Sequence, residues 1–118
     1  MKYLRQRIKS FGFAIDGIIA FLRSEPHARI HALATVIVVI LSAAFQITGM
    51  EWIMILMVIG MVWVTEMFNT VVEKIMDHVS PEIHPRVKWI KDVAAGAVLV
   101  AAIIAIITGL IIFIPYMK

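Results

Sequence analysis

Glu66, Asn69, Glu73 and Asp77 are spaced by three, four and four residues in the second half of an otherwise apolar segment that starts at Trp52. At about 100° per residue they fall within an arc of roughly 80°, so on a helix they share one face. A carboxylate at membrane depth costs about 2 kcal/mol or more to insert, and such groups usually serve a function. Three carboxylates and an amide in one line point to a site for cations or protons.

Other residues extend the chemistry. Mg²⁺ prefers oxygen ligands and is often held by one or two carboxylates plus substrate phosphates. Glu25 and Glu73 belong to different segments and can supply such a pair. Glu66 lies about 10 Å along the helix axis from Glu73. That spacing leaves room for a phosphoryl group and an acceptor hydroxyl, with Glu66 as general base toward the hydroxyl. Lys91 can stabilise charge on phosphates. The run Ala94-Ala95-Gly96-Ala97 lets backbones approach closely at the start of the last apolar segment.

The elements that must position these groups are helices in a membrane. Of 118 residues, 62% are hydrophobic, and the mean hydropathy is +0.96, too apolar for a soluble domain of this length. Three segments, about 30–48, 52–77 and 93–114, are long enough to span a bilayer, which takes about 20 residues. The first lies too far along the chain, and is too long, for a cleaved signal peptide. Residues 1–24 differ. Leu4, Ile8, Phe11, Ile15, Ile18 and Leu22 follow helical spacing, with Arg5, Lys9 and Asp16 off that stripe. This predicts an amphipathic helix on the membrane surface. Ser24 is expected to cap the next helix, with Pro26 in its first turn. The expectation is an all-α integral membrane protein of one domain, with a surface helix and three transmembrane helices. There is no internal repeat, and the absence of cysteine leaves the redox compartment open.

Charge sets the expected orientation. Lys2, Arg5, Arg7, Lys9, Arg23 and Arg29 precede or open the first span, and Arg86, Lys88 and Lys91 lie between the second and third. The link between the first and second spans carries only Glu51. The positive-inside rule then places the N terminus in the cytoplasm and the C terminus outside. The net charge of +3 reflects this basic rim, and no nucleic acid need be invoked. Glu25, Arg29, His31, Glu73, Asp77, Lys91 and Asp92 all fall at the cytoplasmic interface, with Glu66 deeper. The shallow end suits a water-soluble nucleotide and the deep end a lipid hydroxyl.

Each residue also has a plainer reading. Asn69 can hydrogen-bond across a helix interface, and Asp77 can be a solvated helix end. Asp92 can cap the third helix. Glu82 and His84 stand in Ser80-Pro81-Glu82-Ile83-His84-Pro85, a turn by composition. His27 and His31 read as interfacial polar residues rather than metal ligands, and Trp52 and Trp89 as interface anchors. Glu66 and Glu73 are the hardest to explain as structure alone.

The string Glu66-x-x-Asn69-Thr70-x-x-Glu73-x-x-x-Asp77, followed by Lys91-Asp92-x-Ala94-Ala95-Gly96-Ala97, resembles the prokaryotic diacylglycerol kinase and undecaprenol kinase family. The resemblance reaches upstream to Glu25 with Arg29-Ile30-His31, and to Ser10-Phe11 with Ala14 and Gly17. It implies an integral membrane kinase that transfers the γ-phosphoryl of ATP to a lipid alcohol, built as a homotrimer with active sites shared between subunits. By the same resemblance Glu66 corresponds to the catalytic base and Asn69 to a polar residue at the reaction centre. Glu25 and Glu73 correspond to the Mg²⁺ carboxylates, and Glu82, His84, Lys91 and Asp92 to nucleotide contacts. His31 stands where the diacylglycerol branch usually has an acidic residue. With the Ser-Pro-Glu-x-His-Pro string, this favours the undecaprenol branch, with diacylglycerol as the alternative acceptor.

No Gly-x-x-x-x-Gly-Lys-Ser/Thr loop and no Gly-x-Gly-x-x-Gly occurs, so the residues alone reach a cation-linked polar site, and ATP and the lipid come from the resemblance. A small ion- or proton-conducting subunit is the rival class, because intramembrane carboxylates also mark ion paths. The one-sided clustering of the acids, with no charged track in the outer halves of the spans, counts against it. A purely structural membrane subunit would have no use for the acids.

Overall fold

A computed structural model describes residues 1–80 and 84–118. The described chain is all helical: α1 (Lys2–Ser24), α2 (Pro26–Ala44), α3 (Gly49–Val79), α4 (Pro85–Phe113) and a closing 3₁₀ turn at Ile114–Met117. Among the described residues three helices are long and apolar enough to cross a membrane: Pro26–Ala44, Gly49–Val79 and Pro85–Met117. The chain divides into two compact units, Met1–Val36 and Ile37–Lys118.

In the first unit α1 ends at Ser24 and α2 opens at Pro26. Ser24 is therefore the last residue of α1 and not the cap of α2. The junction residue is Glu25, extended at φ −113° and ψ 114°, the backbone that a following proline favours.

The second unit is built on a hairpin of α3 and α4, which pack against each other. Its antiparallel sense is visible at both ends. Asp77, late in α3, meets Lys91, early in α4. Glu51, in the first turn of α3, meets Tyr116 beyond the end of α4. Ile47, Ile55 and Ile112 form the buried core, with Phe45, Trp52, Phe113 and Tyr116 packed on it. Phe45 stacks on Tyr116 at 5.9 Å between ring centroids. Long stretches of both helices leave large apolar side chains exposed, such as Met57, Leu99, Ile106 and Ile111. Water would penalise such a surface; hydrocarbon does not.

The first span ends sooner than hydropathy suggests, at Ala44 rather than at residue 48. The cause is a backbone device. Gln46 adopts a left-handed φ of 52°, its N–H donates to the Ala43 carbonyl (3.2 Å), and the Ile47 N–H donates to the Ser42 carbonyl (3.3 Å). This is a Schellman ending, and Ile47 just beyond it is buried in the core with Ile55 and Ile112. The chain then restarts at once. Thr48 caps α3: its hydroxyl accepts from the Glu51 N–H (3.2 Å), and Glu51 accepts from the Thr48 N–H (2.9 Å). The two exchanges form a capping box.

The third span also starts earlier than predicted. Hydropathy places it at about residue 93, where the charges stop, but α4 begins at Pro85. Proline suits the first turn, where its missing N–H costs nothing. His84 is the cap, its Nδ1 accepting from the Arg86 N–H at 3.1 Å. Asp92 lies inside the helix, so its reading as an N-cap is wrong.

Candidate functional site

α3 is unbroken from Gly49 to Val79. At 1.5 Å per residue its 31 residues span about 46 Å, against about 30 Å of hydrocarbon. The helix therefore carries its apolar part and its polar end as one rigid rod. Glu66, Asn69, Glu73 and Asp77 hold their predicted helical spacing because no bend or bulge intervenes.

Within that face Asn69 Nδ2 donates to Glu73 Oε1 at 3.3 Å. Glu73 is exposed, so the bond tethers an otherwise mobile carboxylate. Asn69 Oδ1 is buried and has no hydrogen-bond partner. Buried polar atoms are nearly always paired, and an orphan one asks for an explanation. Here it is an oxygen acceptor beside a carboxylate. Glu66 is half-buried and sits two turns toward the apolar half of the helix.

At the Val79 end of the hairpin, Lys91 Nζ donates to Asp77 Oδ1 at 2.5 Å, joining α4 to α3. Asp77, in the last turn of α3, is a solvated helix end, its side chain 64% exposed, that also pairs across to α4. One turn along, Lys88 Nζ donates to Asp92 Oδ2 at 2.5 Å. Lys91 and Asp92, adjacent in sequence, therefore engage different partners. Lys88 was not among the expected site residues; the Lys-x-x-x-Asp spacing is the signal that could have found it. His84 holds the start of α4 through its cap bond. Glu82 lies outside the described residues. Glu25 belongs to the first unit, at the α1–α2 junction.

The donor set fits a hard divalent cation: carboxylate and amide oxygens, with no thiol in the chain. Among the described residues no three His, Asp or Glu side chains gather into a metal-holding group. Mg²⁺ asks for no such cage, because one or two carboxylates plus substrate phosphates commonly complete its shell.

A helical membrane protein with three spans, and with a line of carboxylates and an amide on one of them, is the class that fold and site define. The sequence places it further. Residues 12–113 match the prokaryotic diacylglycerol kinase family, and the chain belongs to that family. It is 38% identical over 112 residues to an undecaprenol kinase of Bacillus subtilis (strain 168), covering 95% of this chain and 91% of that one. It is 31% identical over 107 residues to a diacylglycerol kinase of Synechocystis, covering 90% of this chain and 61% of that one. To a diacylglycerol kinase of Escherichia coli (strain K12) it is 26% identical over 101 residues, covering 86% and 83%. The protein is a membrane lipid kinase.

Proposed function

We propose that this kinase transfers the γ-phosphoryl group of ATP to the hydroxyl of undecaprenol, with Mg²⁺ as its cation. Diacylglycerol, which would yield phosphatidic acid, is the second choice of acceptor. The carrying observation is the arrangement on α3: Glu73 tethered by Asn69, and Glu66 two turns deeper on the same unbroken face. The acceptor reading is supported by the stronger identity to an undecaprenol kinase (38%) than to the Escherichia coli diacylglycerol kinase (26%).

Glu66 accepts the proton of the lipid hydroxyl as its oxygen bonds to the γ-phosphorus and the bond to the β-phosphate bridging oxygen breaks. Asn69 orients Glu73 and offers its Oδ1 to the reaction centre. Glu25 and Glu73 would hold Mg²⁺, which would offset charge on the phosphates. Lys91, Asp92, His84 and Glu82 contact the nucleotide. Most of the catalysis comes from position and electrostatics, as in phosphoryl transfer generally.

In this reading the two units act as one kinase domain in the cytoplasmic membrane. The N terminus is cytoplasmic, where ATP is, and the C terminus external. α1 lies on the inner surface with its apolar stripe in the lipid. Other copies of the chain cover part of the exposed apolar surface in a homotrimer with shared active sites. The test is phosphorylation by purified protein with Mg-ATP, comparing undecaprenol and diacylglycerol in one lipid or detergent system. Faster labelling of undecaprenol is expected. Faster labelling of diacylglycerol overturns the acceptor assignment and leaves the kinase assignment standing.

A further inference from the structure

We propose that Arg29 is a positioning residue: it locks the elbow between α1 and α2 and so sets where the Glu25 carboxylate stands. The proposal rests on the reading of Glu25 as a metal carboxylate and gives that carboxylate its support.

The last carbonyls of a helix have no donor within it. At the end of α1 the Phe21 carbonyl accepts from the Glu25 N–H at 3.1 Å. The next two carbonyls are taken by one side chain: Arg29 Nε donates to Leu22 O at 3.1 Å and Nη2 to Arg23 O at 2.6 Å. Arg29 stands in the first turns of α2, so its guanidinium reaches back across the junction and fastens one helix to the end of the other. The cation is also favourably placed at a helix C terminus.

Glu25 lies at the centre of this elbow. Its N–H is tied to α1, and its carbonyl accepts from the Ala28 N–H at 3.1 Å. Phe21 and Ala28 on either side are buried, Ala28 completely. With both backbone groups of Glu25 bonded, any rotation of α2 against α1 passes through the Glu25 dihedrals. The Arg29 fork removes that rotation by holding two successive carbonyls. A lysine, with one compact ammonium, cannot hold both in the same geometry. Two of the five guanidinium donors are spent on backbone, the bonding expected of a support.

The test measures geometry and metal dependence on the same full-length variants. The chain has no cysteine, so Lys9→Cys with Ala34→Cys places two spin labels at chosen sites, one on α1 and one on α2, both in the first unit. Excess unlabelled protein isolates the intrachain distance. Arg29→Gln is expected to broaden that distance distribution and Arg29→Lys to broaden it less. In unlabelled variants, Arg29→Gln is expected to raise the Mg²⁺ concentration for half-maximal activity by about 10-fold or more, the usual cost of removing the support of a metal ligand. The ATP KM at saturating Mg²⁺ should change less than about twofold, since no nucleotide contact is removed. An unchanged distance distribution in Arg29→Gln overturns the clamp. A raised ATP KM with unchanged Mg²⁺ dependence also overturns it, making Arg29 a nucleotide contact. If Arg29→Gln broadens the distribution while Glu25→Gln leaves Mg²⁺ dependence untouched, the clamp stands and the metal reading of Glu25 falls.

Discussion

Asp77→Asn is expected to tighten ATP use by the kinase. Lys91, proposed as a phosphate contact, is held by Asp77 at 2.5 Å. Phosphates must draw Lys91 away from Asp77 or share it, so the pair is a cost that binding must meet. Two unit charges at that separation attract by about 1.7 kcal/mol in a medium as polar as water. The Asp77 side chain is 64% exposed and that of Lys91 35%, so screening and the ordering of two flexible chains reduce this. Exposed pairs measured by double-mutant cycles retain about 0.2–1 kcal/mol. Removing the Asp77 charge should therefore lower the ATP KM by up to about fivefold, with kcat within about twofold. The effect should shrink as salt is raised toward 1 M.

The assay is initial-rate phosphorylation at saturating lipid and Mg²⁺, with ATP varied, for the wild type, Asp77→Asn, Lys91→Met and the double variant. If Asp77 acts through Lys91, its substitution has little effect once Lys91 is methionine, because the coupling partner is gone. A KM gain of equal size in both backgrounds refutes the competition and reduces Asp77 to a general repulsion of ATP. A higher KM or lost turnover in Asp77→Asn refutes it more directly, since Asp77 would then be helping the nucleotide.

Three further outcomes are expected. Glu66→Gln keeps size and hydrogen bonding but cannot take the hydroxyl proton, so turnover should fall about 10²- to 10⁴-fold while Mg-ATP binding persists; near-normal turnover removes Glu66 from the base role, and lost binding moves it to the metal site. Gln46→Gly should raise the melting temperature in detergent, because a non-glycine residue at a left-handed φ costs about 1–2 kcal/mol, partly offset by glycine's entropy in the unfolded chain; a lower Tm contradicts the Schellman account of the α2 ending. A protease-cleavable tag after Lys118 should be cut from outside the cell, and cutting only from the cytoplasmic side overturns the proposed orientation.

The three spans are legible in the sequence because a bilayer demands about 20 apolar residues in a row and little else in a short chain supplies them. Their ends are less so, and each miss has a local cause. Hydropathy continues through Phe45 and Ile47, but the backbone turns at Gln46, and an apolar count cannot see φ. It stops at Asp92 because charges begin there, although helix and membrane boundaries need not coincide. Pro85 and His84 start α4 well before that point. The acidic face of α3 was readable because helical period depends on spacing alone. Which partner each acid takes was not. Asp77 with Lys91 joins two helices at a separation of 14 residues, and Arg29 bonds carbonyls, which every residue has and no sequence pattern distinguishes.

The two ends of α3 make different use of their polar groups, and the contrast separates structure from function. At the Gly49 end Glu51 completes the capping box with Thr48 and accepts from the Tyr116 hydroxyl at 2.5 Å. Phe45 and Phe113 pack beside that tyrosine. Every bond there closes a helix end or fastens the last turn, and the cluster is complete within the chain. Toward the Val79 end, Asn69 gives its donor to Glu73 and keeps a buried oxygen with no partner. A fold that satisfies Glu51 through both a backbone N–H and a hydroxyl does not leave Asn69 Oδ1 unmet for want of donors in general. The unmet acceptor stands on the α3 face that carries Glu66 and Glu73, where the proposed phosphoryl group would lie. In the proposed reading, Glu25 is supported by an arginine that spends two donors on backbone. Self-sufficient bonding at one end, and bonding that holds groups while leaving them an unfilled acceptor at the other, is what a kinase needs if its substrates complete the site.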